Sequence, residues 1–272
     1  MSFLCACCAL YDEIYDISSL FERRYRTHRA YIESGLGKCA GITEQDVTSN
    51  KLTIVLAPGF MTDHDLWRDV APHFSNYNVA YADFREGATL QELAASNLSR
   101  CPERFVLMGF SLGGYIARYM LYQAPERVQA LILVGTSTRP SGPSVSGPTT
   151  NKMFRGMSRA ALVRAVHTSR AENEDLIQRM KDMGTRLGAE VFARLSALDR
   201  KSDLEAMRDI KCPVLVITAD QDRLRSLEES KEMAEAARAT LIVLERCGHM
   251  MPMEEPDQLG LLVGDWLAKN NM

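Results

Sequence analysis

Six short apolar runs, most of them cut off by a turn, constrain this chain more than any other feature. Residues 52–57 (LTIVLA) stop at Pro58-Gly59, 104–108 (RFVLM) at Gly109 and 130–134 (ALILV) at Gly135. Residues 78–82, 214–218 and 240–244 are similar. Each run is rich in Val, Ile or Leu and apolar on both faces, as strands of a parallel sheet are when helices cover both sides. Helical segments lie between them at 90–98, 113–123 and 227–238, and a last one at 257–269 is opened by Pro256. This alternation predicts an open, doubly wound α/β sheet.

The alternation fails between residues 136 and 211. Thr136–Thr150 is rich in Ser, Thr, Pro and Gly and reads as loop. Two or three helices are expected after it. Met153, Met157 and Ala161 are spaced by four. Leu176, Met180, Met183 and Leu187 keep helical spacing until Gly184 and Gly188 weaken it, and Phe192, Leu195 and Leu198 follow. An all-helical insert between two strands is expected to form a cap, about 137–205, over a sheet edge. Residues 1–50 read as an N-terminal extension preceding a domain over 51–272.

Hydrophobic residues make up 46 % of the 272 residues, charged residues 25 %, and the net charge is −3. No basic stripe favours nucleic acid, and no apolar run reaches the roughly 18–20 residues of a membrane span. The apolar first ten residues lack a basic start, and Asp12, Glu13 and Asp16 follow them, which argues against a secretory signal. Seven cysteines, an odd number, fit free thiols in a reducing cytoplasm. Cys5, Cys7 and Cys8 cluster as metal ligands or acylation sites would, but no second Cys/His cluster completes a metal site, so they read as incidental thiols.

Gly109-Phe110-Ser111-Leu112-Gly113 carries the chemistry. It is a G-x-S-x-G lying directly between an apolar strand and a helical run, the setting in which a serine sits on a sharp turn with its hydroxyl exposed above a sheet. A phosphate-cradling P-loop or a dinucleotide fingerprint would need other spacings. A serine hydroxyl needs a base, and the base needs an orienting acid. Of five histidines, only His249 follows a strand near the C-terminus, in the turn Cys247-Gly248-His249. Asp220 and Asp222 follow the 214–218 run; Asp222 is the preferred acid, and Glu245 and Glu254 are remoter choices. The backbone N–H groups of Leu112 and Phe60 are the candidate oxyanion donors.

These residues resemble the α/β-hydrolase superfamily, and the resemblance covers Leu52 to Leu267. Pro125-Glu126-Arg127-Val128, Ile210-Lys211-Cys212-Pro213-Val214, Ala219-Asp220-Gln221-Asp222 and Gly248-His249 with Glu255-Pro256 are similar to its recurring P-E-R-V, I-x-x-P-[VT], G-x-x-D and G-H…E-x-P elements. The small-capped bacterial esterases and lactonases are the nearest subgroup. The resemblance implies a mostly parallel sheet flanked by helices, with a small helical cap after the sixth strand of the fold, and a Ser111–His249–Asp222 triad. Three departures stand out: Pro58-Gly59 replaces the usual H-G, Asp83-Phe84-Arg85-Glu86-Gly87 is a reduced D-x-x-G-x-G-x-S, and Arg223 replaces a frequent Pro.

The expected reaction is hydrolysis of a small carboxylic ester or lactone through an acyl-enzyme, with no cofactor and no metal. Acyl transfer and C–C bond hydrolysis use the same triad, and a non-catalytic ligand receptor is the reading from another class. Phe110, Met61, Met153, Met157 and Met250 are candidate substrate contacts, Met being adaptable enough to wall an apolar pocket.

Overall fold

The computed structural model describes residues 51–142 and 156–272. The 1–50 extension with its Cys5, Cys7 and Cys8 lies outside the described residues, as does Met153.

Six strands form one all-parallel sheet in the order β2-β1-β3-β4-β5-β6. They are β1 (Thr53–Ala57), β2 (Asn78–Tyr81), β3 (Phe105–Phe110), β4 (Val128–Val134), β5 (Val214–Ala219) and β6 (Thr240–Leu244). Successive side chains of a strand point to opposite faces, and here both faces are dry. Val55, Leu107, Leu131, Leu133 and Val216 face one core cluster. Ile54, Leu56, Val106, Met108, Ile132, Leu215 and Ile217 face the other. That double burial is why the runs are apolar throughout rather than alternating.

The first cluster is closed by α1 (Leu90–Leu98), α2 (Leu112–Gln123) and α6 (Leu227–Ala237). The second is closed by α8 (Pro256–Lys269), with the short α7 (Met251–Glu254) before it. Two 3-10 helices, His64–Trp67 and Ala71–Phe74, also cover the second face and bury Trp67 and Phe74 completely. Periodicity does not announce these one-turn elements. The Asp63 side chain caps the first by accepting from the Asp65 N–H.

Between β4 and β5 lie α3 (Arg159–Ala165), α4 (Glu174–Ser196) and α5 (Leu204–Met207). Ser158 caps α3 by accepting from the Ala161 N–H, so the helix begins after Met157 rather than running through it. Asn173 caps α4 in the same way at Leu176. Gly188 breaks α4 with φ 82°, a left-handed value that glycine tolerates. The weakening expected at Gly188 is therefore a true kink, whereas Gly184 stays helical.

A parallel sheet collects the carboxyl ends of its strands on one edge. The loops after β1, β3, β4, β5 and β6 all open there, and the residues singled out from the sequence lie in four of them.

Candidate active site

Ser111 sits between β3 and α2 at φ 51°, ψ −115°, a backbone that a non-glycine residue adopts only under constraint. Two glycines make that turn possible. A Cβ on Gly109 would stand 2.5 Å from the Gly113 carbonyl oxygen, and one on Gly113 would overlap the Ala57 and Pro58 carbonyls. The turn is pinned from β4: the Ser111 N–H donates to the Val134 carbonyl at 2.9 Å, and the Thr136 hydroxyl donates to the Ser111 carbonyl at 2.7 Å.

The three polar side chains form a chain of contacts. Ser111 Oγ lies 3.0 Å from His249 Nε2, and His249 Nδ1 lies 2.7 Å from Asp222 Oδ2. Asp222 Oδ1 also accepts from the N–H groups of Leu224 (2.7 Å) and Arg225 (2.9 Å), so both carboxylate oxygens are fixed. The Asp222 side chain is fully buried, while Ser111 and His249 keep 9 % and 5 % exposure, enough for the hydroxyl and imidazole to meet a ligand. Asp220 has another role. Its side chain accepts from the Cys247 N–H at 3.2 Å and so ties the β5 loop to the histidine loop.

The histidine loop is organised by Glu254, which the sequence offered only as a remoter choice for the orienting acid. Glu254 accepts three backbone N–H groups: those of Gly248 (3.2 Å) and Met250 (3.0 Å), which flank His249, and that of His167 (2.7 Å), just after α3. Burial pushes its carboxyl above the ordinary value, and the three amides oppose that push. Glu254 is thus a loop organiser rather than an orienting acid. Its position three residues before the Asp257 of the helix start hid this, because a backbone-binding carboxylate has no fixed sequence signature. Gly248 has a different reason from a simple turn: a Cβ there would overlap the Val166–His167 backbone.

The β1 loop approaches from the other side. Gly59 donates its N–H to Thr62 Oγ1 at 2.7 Å, and Thr62 returns its N–H to the Gly59 carbonyl at 3.3 Å. Met61 sits at φ 54° inside this turn. A Cβ on Gly59 would be 3.4 Å from Ser111 Cβ, so the loop lies beside the serine. The N–H groups of Phe60 and Leu112 have no hydrogen-bond partner among the described residues, and Leu112 is the first residue of α2, where the helix dipole favours negative charge.

Phe110, Met61 and Met250 are core side chains, at most 4 % exposed. Phe110 packs at 5.0 Å between ring centroids on His249 and edge-on to Trp67 at 6.5 Å. Met157 is partly buried and touches both core clusters. Arg223, in place of a proline, donates to the Val163 (2.7 Å) and Val166 (2.8 Å) carbonyls at the end of α3, tying the acid loop to the inserted helices. A cavity of about 170 Å³ lies between the loops after β1 and β2 and the second half of α4, bordered by Pro58, Asp63, Phe84, Leu187 and Val191. Among the described residues no cluster of His, Cys, Asp and Glu could hold a metal ion, and no helix is long and apolar enough to cross a membrane.

The chain belongs to the alpha/beta hydrolase family, whose profile matches residues 54–259. It is 31 % identical over 185 residues to a 2-hydroxymuconate semialdehyde hydrolase of Pseudomonas sp. strain CF600, covering 61 % of this chain and 63 % of that enzyme. It is 30 % identical over 93 residues to a pimeloyl-[acyl-carrier protein] methyl ester esterase of Salmonella newport, covering 31 % and 36 %. The aligned stretches thus span less than two thirds of either relative. In fold it is similar to the enol-lactonase of Burkholderia xenovorans LB400, with a TM-score of 0.72 and 24 % identity over 81 % of this chain and 92 % of that one. Its relatives are hydrolases, and esterases and lactonases are among them.

Proposed function

We propose that this protein is a serine hydrolase that cleaves a small carboxylic ester or lactone through an acyl-enzyme, with Ser111, His249 and Asp222 as its triad. The observation that carries the reading is the unbroken contact from Ser111 Oγ through the imidazole to Asp222, at 3.0 and 2.7 Å. A receptor that merely held a ligand would have no need for a strained serine aligned on a histidine with a buried acid behind it.

Ser111 Oγ attacks the acyl carbon while His249 Nε2 takes its proton. Asp222, held by two amides and buried, fixes the tautomer with Nδ1–H toward itself and stabilises the imidazolium. The Phe60 and Leu112 N–H groups, unoccupied and beside the serine, receive the oxyanion. His249 then returns the proton to the leaving oxygen. A water deprotonated by the same imidazole releases the acyl group and restores the serine. The residues account for every step without a cofactor or metal. The inserted helices act as the cap of the 51–272 domain, and Met157 is the candidate wall of the substrate pocket. A cytoplasmic location belongs to the same proposal.

A second reading has one specific observation in its favour. The 31 % identity is to an enzyme named as a semialdehyde hydrolase, so C–C bond hydrolysis by the same groups stands beside ester hydrolysis. Product analysis on a β-diketone against an ester separates them.

Turnover of p-nitrophenyl butyrate by the wild type and Ser111→Ala tests the proposal. The expected result is a loss of about 10³-fold or more in kcat for a variant that remains folded. Equal turnover by the two proteins would overturn it.

A further inference from the structure

The chain that leaves β4 and returns to β5 is joined at its neck. Ser141 on the way out and Arg200 on the way back form an antiparallel bridge, with N–H to carbonyl distances of 2.8 and 3.1 Å. Arg118, two turns along α2 from Ser111, reaches both sides of that neck. Its Nε and one Nη donate to the two carboxylate oxygens of Asp203, just before α5, at 2.6 and 3.1 Å. The same Nη donates to the Ser137 carbonyl in the loop after β4 at 2.9 Å. The other Nη reaches the Gly114 carbonyl in the first turn of α2 at 3.3 Å. The Tyr122 hydroxyl adds a further bond to Asp203 at 2.9 Å. The Arg118 side chain is wholly buried and that of Asp203 nearly so.

Ser137 connects this cluster to the nucleophile turn. Its neighbour Thr136 donates its hydroxyl to the Ser111 carbonyl at 2.7 Å and packs on Gly114, where a Cβ would stand 2.5 Å from Thr136 Oγ1. The rest of the loop is tied down as well. The Ser137 hydroxyl donates to Glu229 at 2.8 Å and accepts from the Arg139 N–H at 2.9 Å, and the Tyr115 hydroxyl of α2 donates to the Arg139 carbonyl at 3.0 Å. A short path of bonds therefore runs from Asp203 through Arg118, Ser137 and Thr136 to Ser111.

Desolvation offsets much of the attraction in a buried ion pair, so such a pair adds little stability over an apolar contact. A misplaced partner, however, strands a buried charge, and the arginine fork accepts a carboxylate in one orientation. The pair is suited to fixing a geometry rather than to stabilising the fold.

We infer that Arg118 and Asp203 are positioning residues for the nucleophile. They set where the loop after β4 lies, and through the Thr136 hydroxyl they hold Ser111 in its strained turn. Placement of the neck is thereby coupled to the reactivity of the serine. The inference rests on the serine-hydrolase reading for its effect on turnover, and on the hydrogen-bond geometry alone for its effect on the turn.

The test is a double-mutant cycle between Asp203→Asn and Thr136→Val, the second of which removes the hydroxyl from the Ser111 carbonyl and keeps the side-chain shape. Kinetics on p-nitrophenyl butyrate give kcat and KM, and mass spectrometry follows hydrogen exchange of the peptide containing Ser111, whose N–H bonds to the Val134 carbonyl. Each folded single variant should lose about tenfold in kcat with little change in KM, and its Ser111 peptide should exchange faster. The double variant should lose little more than either, whereas independent effects would multiply to about a hundredfold. Arg118→Lys keeps the charge without the fork and should fall alongside Asp203→Asn. If Asp203→Asn does not fold, Tyr122→Phe, which takes one donor from the carboxylate, replaces it in the cycle with a smaller loss and the same non-additivity. Losses that multiply, or folded variants of the pair with unchanged kcat and exchange, overturn the inference. A folded wild type that cleaves no ester removes the hydrolase reading instead, and exchange at Ser111 then decides the positioning role alone.

Discussion

The strand-end loops and the inserted helices are held by different forces. In the loops, backbone groups do the fixing: two amides on Asp222, three on Glu254, and the Ser111 N–H on the Val134 carbonyl. The long helix of the insert, α4, is held largely by side chains. Arg186 pairs with Asp63 at 2.8 Å and with Asp65 at 3.3 Å, Arg179 pairs with Asp65 and Asp69, and Phe192 meets Phe60 edge-on at 5.7 Å. Backbone-held geometry shifts only if a strand end or a helix start shifts. Partly exposed ion pairs contribute up to about 1 kcal/mol each and exchange readily with water. Under the proposed function, the molecule thus separates a preorganised reaction edge from an adjustable cover, and the kink at Gly188 lies in the adjustable part.

If the reaction edge is preorganised, its members should be intolerant of substitution. Asp222→Asn leaves the shape but reverses the tautomer preference of His249, so kcat should fall by about 10⁴-fold with KM moving far less, read by steady-state kinetics. Gly113→Ala drives a methyl group into the β1 carbonyls; it should destabilise the fold by about 3 kcal/mol or more, seen as a lowered denaturation midpoint. Glu254→Gln is subtler. Both carboxylate oxygens accept N–H groups, so an amide NH₂ must oppose at least one of them. A loss of about tenfold in kcat is expected; unchanged kcat would mean the histidine loop holds itself.

The cover should behave oppositely. Burial pushes Asp63 up, but hydrogen bonds from Arg186 and the Asp65 amide outweigh it and leave the carboxyl below its ordinary value. A depressed carboxyl contributes stability that is fully present above the unfolded value of about 4 and is lost as pH falls through the folded one. The clamp should therefore be constant from pH 8 to about pH 5 and loosen only in stronger acid. Asp63→Asn should cost about 1 kcal/mol at neutral pH, flatten that acid limb in thermal melts, and alter KM more than kcat.

The same division explains what the sequence made legible. All six strands and the four sheet-flanking helices could be read from it, because doubly buried strands and amphipathic helices leave local patterns. Ser111, His249 and Asp222 were legible because a strained turn and two strand-end loops demand particular residues at particular places. The 3-10 helices over Trp67 and Phe74, the triple backbone grip of Glu254 and the Arg186–Asp63 clamp left no such trace. Their partners are more than 80 residues apart for Glu254 and His167, and 123 apart for Arg186 and Asp63, so only the fold brings them together. Phe110, Met61 and Met250 show the converse: adjacency in sequence to Ser111, His249 and the β1 loop placed them in the core around these residues.

The central claim is that Ser111 is an activated nucleophile. Labelling with a fluorophosphonate, followed by peptide mapping by mass spectrometry, tests it most directly. The account predicts a single adduct per chain on the peptide that contains Gly109-Phe110-Ser111-Leu112-Gly113, absent in Ser111→Ala and strongly slowed in His249→Ala. A folded wild-type protein that takes no label, or takes it on another residue, would contradict it.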